Sequence, residues 1–155
     1  MLKHFTGTHD HKMDERGRVS LPTEFRRVLD GVGSTGALYI VPRLDDPRAH
    51  VVFTTEAYSA LVDRHNMRIY PSRKAQKRME IKIMNRAAQV QVDDVGRIVL
   101  SKELRAEIGL EKEVRFVGID SRFEIWRPDA QDAAEAELMA DEDEEDEFLD
   151  LRGLH

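Results

Sequence analysis

Short apolar runs separated by turn signals follow one another along most of the chain. The runs at 38–42 and 50–54 are rich in β-branched and aromatic residues and have the length of strands. At 89–92 the order Gln, Val, Gln, Val alternates as in a strand with one buried face. This pattern predicts a β-rich α+β fold. The predicted strands are 9–13, 19–21, 38–42 and 50–54 in the first half, and 89–92, 98–100, 114–118 and 123–126 in the second.

Two short helices are predicted, one in each half of the chain. Pro22 suits a first helical position, because its missing N–H group would be unpaired there. Ser101 suits an N-cap, because its hydroxyl can accept hydrogen bonds from the first N–H groups of a helix. Asp30 with Gly31, and Gly109, mark the helix ends, since glycine readily adopts the left-handed backbone found there. The predicted helices span 23–29 and 102–108.

The same order of elements occurs twice because a stretch of sequence is duplicated. Residues 14–26 read Asp-Glu-Arg-Gly-Arg-Val-Ser-Leu-Pro-Thr-Glu-Phe-Arg. After 79 residues, 93–105 read Asp-Asp-Val-Gly-Arg-Ile-Val-Leu-Ser-Lys-Glu-Leu-Arg, with six identical residues in register. A unit of fewer than about 50 residues buries little apolar surface alone. We therefore expect the two units, and several chains, to pack together.

The start of each copy predicts a tight turn between strands. An aspartate can accept hydrogen bonds from the backbone that follows it, and a glycine can adopt a positive φ. Arg18 and Arg97 come directly after these turns. The spacing also permits an ion pair from Arg18 back to the aspartate of its turn, and both roles can hold at once. The predicted turn residues are Asp14 and Gly17 in the first copy and Asp93 and Gly96 in the second.

Charge is distributed unevenly along the chain. The whole chain has 24 Lys and Arg against 30 Asp and Glu, a net charge of −6. Residues 129–155 contain 12 of the acids and a single base, which leaves a net charge of +5 for residues 1–128. The chain thus consists of a basic body, residues 1–128, and an acidic tail, residues 129–155. The average charge therefore does not exclude a nucleic-acid partner.

The bases of the body form two groups. One surrounds the first turn, where a protruding two-stranded ribbon could enter a DNA major groove. The other occupies the connector between the units, where an amphipathic helix with Met79, Ile83 and Ala87 on one face is the alternative interpretation. The second turn has no basic neighbours, so we expect the first copy to read DNA and the second to serve assembly. The predicted DNA-binding residues are Lys12, Arg16, Arg18, Arg26, Arg86 and Arg97.

The duplicated unit resembles the AbrB-type swapped-hairpin motif, Asp-x-x-Gly-Arg-Val-x-Leu-Pro-x-x-Phe-Arg. Its tandem copies, with His4-Phe-Thr-Gly7 before them and Phe123-Glu-Ile-Trp126 closing the second, are similar to the bacterial MraZ family. The resemblance covers residues 2–127. Ser101 departs from the family pattern, which often has proline there, and the acidic tail is a second departure.

The resemblance implies two tandem AbrB-like swapped-hairpin repeats, double-psi-barrel-like, with short helices. An acidic tail follows, predicted to begin as a helix over 130–139 and to be disordered in the acidic run at 141–147. This tail either keeps the protein soluble or competes with DNA phosphates for the basic ribbon. The implied domains are 8–55 for the first repeat, 56–83 for a helical basic connector, 84–127 for the second repeat and 128–155 for the tail.

The function implied by the resemblance is sequence-specific transcriptional regulation. The protein would repress the promoter of the division and cell-wall gene cluster, including its own gene. Its partners would be double-stranded DNA carrying short direct repeats and further copies of the chain in a closed ring, with eight as a candidate number. An antitoxin-type DNA-binding module is the alternative, although such modules typically carry one copy of the motif.

Catalysis and cofactors have little support in the sequence. His9 and His11 would share one face of a strand as a candidate metal pair, but no third ligand stands at a convincing spacing. Phosphate loops, nucleophile elbows and cofactor motifs are missing. We therefore predict no catalytic residue, metal or cofactor. The lack of cysteine, of a long apolar run and of a leader predicts a soluble protein of a reducing compartment. For the bacterial DNA binder that the resemblance implies, this means a cytoplasmic, nucleoid-associated protein.

Overall fold

A computed structural model describes residues 3–33 and 36–140 and confirms the β-rich α+β class. The first half contains β1 (Thr8–Lys12), β2 (Arg18–Ser20), α1 (Thr23–Gly31), β3 (Ala37–Pro42) and β4 (Ala49–Thr54). The connector contains α2 (Thr55–Met67), α3 (Arg73–Glu80) and a π-helical turn (Ile81–Asn85). The second half contains β5 (Ala88–Gln91), β6 (Arg97–Val99), α4 (Lys102–Ile108), β7 (Glu113–Ile119), β8 (Arg122–Trp126) and α5 (Pro128–Ala140).

The strands of the two units are interleaved. A six-stranded antiparallel sheet has the order β1-β7-β8-β4-β3-β5, and β2 pairs with β6 in a separate two-stranded sheet. The hairpins β3–β4 and β7–β8 lie within a unit, whereas the other four pairings join one unit to the other. Exchanging each strand for its counterpart in the other unit leaves the sheet order unchanged. The predicted repeats at 8–55 and 84–127 therefore share one sheet.

The prediction of a protruding two-stranded ribbon at the first turn is wrong. The strands on either side of that turn belong to different sheets, because β1 pairs with β7 and β2 pairs with β6. The N–H of Asp14 donates to the carbonyl of Arg18 at 3.0 Å and closes the turn. Beyond this bond, the second unit supplies the ladder partners of both strands. The turn thus lies against the body of the protein.

The helix ends agree with the sequence in the second unit and differ in the first. The Ser101 hydroxyl accepts from the N–H of Leu104 at 3.1 Å, and Gly109 has a φ of +79°. In the first unit Pro22 precedes the first helical residue, and α1 continues through Gly31. The N–H of Val32 still donates to the carbonyl of Val28, so the helical ladder extends past the predicted end.

The core is built jointly by the two units. Phe25 of α1 is fully buried. Its ring centroid lies 5.2 Å from that of Phe5, 6.5 Å from that of Phe116 and 4.9 Å from that of Phe123. Phe116 and Phe123 come from β7 and β8, so this aromatic cluster joins the first helix to the second unit. Its burial ties the stability of each unit to the presence of the other.

The connector contains the amphipathic helix that the sequence indicates, with Met79 half-buried and Ile83 buried, but this helix ends in a π-helical turn. The α-helical ladder ends at Glu80 and a π-helical turn follows, so Ala87 lies outside the helix. Ile83 is nevertheless buried as predicted, and its carbonyl accepts from the Tyr58 hydroxyl at 2.7 Å. Within residues 3–33 and 36–140, no helix has the length and apolar character needed to cross a membrane.

The helix predicted at 130–139 is present as α5, which packs on the sheet through Ala130 beside Trp126. Hydrogen bonds from Arg115 of β7 connect this helix to the sheet. Its Nη1 donates to Asp132 Oδ1 at 2.5 Å, while its Nε donates to Asp10 of β1 at 2.7 Å. The acidic run predicted to be disordered, 141–147, lies outside the described residues.

Candidate nucleic-acid interface

The Asp14 carboxylate organises the first turn. Its Oδ1 accepts from the backbone N–H groups of Arg16 at 3.0 Å and of Arg18 at 2.9 Å. Its Oδ2 accepts from Nε of Arg18 at 2.6 Å, which confirms the ion pair that the spacing permits. Gly17 has the predicted positive φ, +84°. The turn therefore holds the Arg18 guanidinium in one orientation.

The second turn repeats this geometry. Oδ1 of Asp93 accepts from the N–H groups of Val95 at 3.0 Å and of Arg97 at 2.8 Å. Oδ2 accepts from Nε of Arg97 at 3.0 Å, and Gly96 has a φ of +82°. The duplicated sequence thus produces two copies of one arginine-holding turn.

These hydrogen bonds keep both carboxylates ionised. The pKa of Asp14 and the pKa of Asp93 are lowered from their ordinary value of 3.8. The main cause is that the backbone N–H of the arginine four residues later, Arg18 or Arg97, donates to the carboxylate. The side-chain bond from the same arginine lowers each pKa further. At neutral pH each turn therefore combines an ionised aspartate with its arginine.

Each turn is also held by the other unit. The N–H of Leu21 donates to the carbonyl of Gly96 at 2.9 Å, and that of Leu100 donates to the carbonyl of Gly17 at 2.8 Å. An arginine from the helix of each unit also bonds the turn of the other unit. Nη1 of Arg26 donates to the carbonyl of Val95 at 3.2 Å, and Nη1 of Arg105 donates to that of Glu15 at 3.3 Å.

Arg105 was not among the residues singled out from the sequence. The signal was present, because Arg26 and Arg105 occupy the same position in the two copies. Basic clustering selected Arg26 alone. Repetition of an arginine at a helical position would have pointed to a shared structural role for both.

The pairing of β2 with β6 brings Arg18 and Arg97 onto one surface. Arg18 lies opposite Val99 and Arg97 opposite Ser20, whereas the middle residues Val19 and Ile98 are buried. Because side chains alternate along a strand, the four outer residues share the exposed face. We call this surface the ribbon face, defined by Arg18, Ser20, Arg97 and Val99. Ordinary strand spacing places the Cα atoms of the two arginines about 8 Å apart.

The other predicted DNA-binding residues lie around or away from the ribbon face. Arg16 is exposed in the first turn, and Lys12 is exposed at the end of β1 opposite Glu113. Arg26 is half-buried behind the second turn. Arg86 ends the π-helical turn, and the length of β5 separates it from the second turn. The structure therefore places Arg18 and Arg97 on one surface, although the sequence predicted different main tasks for the two copies, and it does not bring Arg86 to them.

Known proteins resemble this chain over nearly its whole length. The family model described as "MraZ protein, putative antitoxin-like" matches residues 83–152. The Transcriptional regulator MraZ of Ruegeria sp. (strain TM1040) is 34% identical, with 99% of each chain covered. The chain belongs to the MraZ family. A second relative, the Transcriptional regulator MraZ of Thermomicrobium roseum, is 35% identical over 89% of this chain and 91% of the relative.

The histidines of β1 in this MraZ family member pack on aromatic rings. The His9 ring lies edge-on to Phe25 with centroids 5.2 Å apart, and the His11 ring lies edge-on to Phe116 at 5.8 Å. Burial lowers the pKa of His11, which favours its neutral form. Among residues 3–33 and 36–140, no group of three or more His, Cys, Asp or Glu side chains is placed to hold a metal ion.

Replacing Asp14 and Asp93 by asparagine should make the stability against unfolding depend less on pH in the acid range. A carboxyl group whose pKa is lowered by folding stabilises the native state above its unfolded pKa, and this contribution disappears as the pH falls through the folded pKa. The unfolding midpoint in urea of the parent chain should therefore decrease more steeply below about pH 4 than that of the double variant.

Glu15→Gln is the matched control, because it removes a carboxylate from the same turn while leaving the hydrogen bonds of Asp14 in place. It should keep the steep acid limb of the parent chain. Identical pH profiles for the parent chain and the double variant would show that the two carboxylates do not stabilise the fold.

Proposed function

We propose that this protein is a transcriptional regulator that binds double-stranded DNA through the ribbon face. The observation that carries the proposal is the pair of arginines on one exposed surface, each oriented by a carboxylate. Within the described residues each guanidinium uses Nε for its aspartate. The Nη groups can then donate to phosphate oxygens or to the O6 and N7 of guanine.

The relatives support this reading. Those in Ruegeria and Thermomicrobium are named transcriptional regulators, and the family is one of regulators and not of enzymes. Pre-orientation of an arginine reduces the side-chain entropy lost on binding, which favours DNA recognition over a role confined to structure. Arg16 and Lys12, exposed near the first turn, would add contacts to phosphates.

Assembly into a homo-oligomer is part of the proposal. The aspartate beside each arginine reduces the net positive charge of the ribbon face, so a single chain should bind DNA weakly. Several linked chains would act at high effective concentration and raise the affinity without new contacts. We infer a closed ring, with eight chains as the candidate number, that presents successive ribbon faces to short direct repeats.

The fold supports two tandem AbrB-like swapped-hairpin repeats as the origin of this surface. Four strand pairings cross between the units, and both turns are held by residues of the opposite unit. In this interpretation one chain contains both partners of the strand exchange. The ribbon face is the product of that exchange.

Family membership supports a proposal for the site of action. We propose repression of the promoter of the division and cell-wall gene cluster, including the gene for this protein, in the cytoplasm and at the nucleoid. The second candidate is an antitoxin-type DNA-binding module, which the description of the matching family model favours. A toxin gene next to the gene for this protein, whose product binds this chain, would favour that candidate.

A nuclease footprint upstream of the gene tests the proposed function. We expect protected boxes of the same sequence, repeated in the same direction at about one helical turn, about 10 base pairs. Such a pattern requires both sequence recognition and several binding units. Uniform weak protection over the whole fragment would contradict specific binding, and a single isolated box would contradict the ring.

A further inference from the structure

A groove of about 510 Å³ lies between the β3–β4 turn and the end of the π-helical turn, on the connector. One side is apolar and consists of Pro42, Leu44 and Pro47. The other side carries Lys82 and Arg86, both exposed. We call this surface the connector groove. Its combination of apolar and cationic walls is suited to an acidic peptide segment.

The positive charge of the connector groove comes from Lys82 and Arg86. Neither side chain forms an ion pair with another described residue, whereas Lys77 nearby pairs with Glu80 at 3.7 Å. Arg43 also lines the groove, but its Nε donates to Asp45 at 2.7 Å, so its charge is already balanced. The acceptor groups of a ligand would therefore lie opposite Lys82 and Arg86, which donate.

The basic surface continues beyond the groove along α3. Lys74, Arg78 and Lys82 follow one another at intervals of four residues, so Lys74 and Arg78 lie on one helical face that leads to Lys82. Both are exposed, and neither forms an ion pair with a described residue. A negatively charged segment leaving the groove would meet further cations on this face.

Two further carboxylates lie at or near the groove. Glu107 lines it, but its Oε2 lies 3.2 Å from Nε2 of the buried His50. Glu124 is buried, and its Oε1 accepts from Trp126 at 2.9 Å. Glu107 is exposed and leaves one negative charge at the groove, whereas the carboxylate of Glu124 is buried inside the protein.

The chain leaves its last described helix at the β3–β4 turn, which is one wall of this groove. Near the end of α5, Glu137 accepts from Nη2 of Arg48 at 3.2 Å on the β3–β4 turn. Leu138 and Arg43 line a hollow on that side of the turn, and Arg43 also lines the connector groove on the other side. The turn that receives the end of α5 is therefore also a wall of the groove.

Residues 141–147, Asp-Glu-Asp-Glu-Glu-Asp-Glu, follow directly after Ala140, the end of α5. Residues 141–147 can extend over at most about 25 Å from Ala140, which is the reach available for docking across this turn. We propose that residues 141–147 dock in the connector groove of the same chain, with their carboxylates against Lys82 and Arg86. Exposed ion pairs are weak and screened by salt, so docking is reversible, and tethering favours it.

This docking places the acidic run away from the ribbon face. It would cover Arg86, one of the predicted DNA contacts, while Arg18 and Arg97 remain accessible on β2 and β6. The inference rests on the groove and on the charge of the tail and does not depend on the proposed function.

Zero-length carbodiimide cross-linking of the full chain, followed by peptide mass spectrometry, tests the docking. The reagent joins a carboxylate directly to a lysine amine in contact with it. We expect the acids of 141–147 to link chiefly to Lys82 at about 50 mM salt, and the link to decrease at least about fivefold at about 0.5 M. Links spread evenly over exposed lysines such as Lys12 and Lys112, or dominated by Lys12, would overturn the proposal.

Arg86→Glu sharpens the test because it reverses the charge of the groove while leaving the reactive amine of Lys82. The yield of the Lys82 link should decrease at least about fivefold in this variant, whereas Arg73→Glu, the same change at the far end of α3, should leave it nearly unchanged. An unchanged yield in Arg86→Glu would overturn the proposal. Links between ¹⁵N-labelled and unlabelled chains refolded together would overturn docking within one chain. None of these measurements involves DNA, so this proposal and the proposed function can fail separately.

Discussion

Replacing Arg18 and Arg97 together by glutamine should lower the affinity for the DNA upstream of the gene at least about 100-fold. Each arginine can make a bidentate contact with guanine or charge-assisted contacts with phosphates, worth about 1–3 kcal/mol. The loss recurs in every chain of an oligomer. Fluorescence anisotropy with the operator at several salt concentrations measures this loss of affinity. The affinity of the variant should also depend less steeply on salt concentration than that of the parent chain.

Arg64→Gln with Arg68→Gln provides the matched control. These two exposed arginines lie at the end of α2, away from β2 and β6, and their replacement removes the same charge. This control should bind DNA within about threefold of the parent chain. If the ribbon-face variant keeps parental affinity while retaining its oligomeric state and folding, the ribbon face is not the DNA-binding surface.

Gly17→Ala should destabilise the protein more than Gly96→Ala, although the two glycines are equivalent in the repeat. Both have a φ near +83°, so both alanines incur about 1–2 kcal/mol for a left-handed backbone. A Cβ at residue 17 would lie 2.2 Å from the carbonyl oxygen of Leu100. That oxygen belongs to the backbone and moves only if the junction between the units moves, which adds about 1–3 kcal/mol.

A Cβ at residue 96 would instead lie 2.2 Å from Cδ of Arg26, within a flexible side chain. Arg26 can rotate away at the loss of its bond to Val95, so Gly96→Ala should cost little more than its backbone strain. Urea unfolding of both variants gives the two free energies of unfolding. Equal destabilisation would mean that contact with the Leu100 carbonyl does not distinguish the turns.

The local chemistry of the turns could be predicted from the sequence. An aspartate that accepts from the backbone, a glycine with positive φ and an arginine placed after them depend on neighbours within four residues. The Ser101 cap and the left-handed Gly109 are local in the same sense. Each was confirmed because no distant part of the chain needs to be known to place it.

The pairing of the strands could not be predicted in this way. β1 and β2 look like the arms of a hairpin, since a tight turn separates them. Their backbone groups pair with strands about 80–105 residues away, as in Asp10 opposite Arg115 and Val19 opposite Ile98. Apolar alternation shows that a strand has a buried face but does not show which strand lies beside it. The predicted ribbon failed for this reason.

Charge clustering was also an incomplete guide to the candidate interface. It grouped Arg26 with Arg18, whereas the guanidinium of Arg26 bonds the opposite turn. It separated Arg97 from Arg18 because the residues before Arg97 are not basic, although pairing of β2 with β6 places both on the ribbon face. A DNA contact by any of the six predicted residues stays a prediction until binding is measured.

The interleaved sheet has a consequence for synthesis on the ribosome. When residues 1–55 have emerged, β3 and β4 can form their hairpin, but β1 and β2 have no ladder partner until β6 and β7 have been made. Pairings at such sequence separation form late and slowly, because the chain loses the entropy of loop closure before the strands gain any contact. The nascent chain thus exposes β1 and β2 without partners, and the outer edges of the β3–β4 hairpin also wait for β5 and β8. This lasts while roughly two-fifths of the protein is translated, an interval in which polysomes bring identical edges close together.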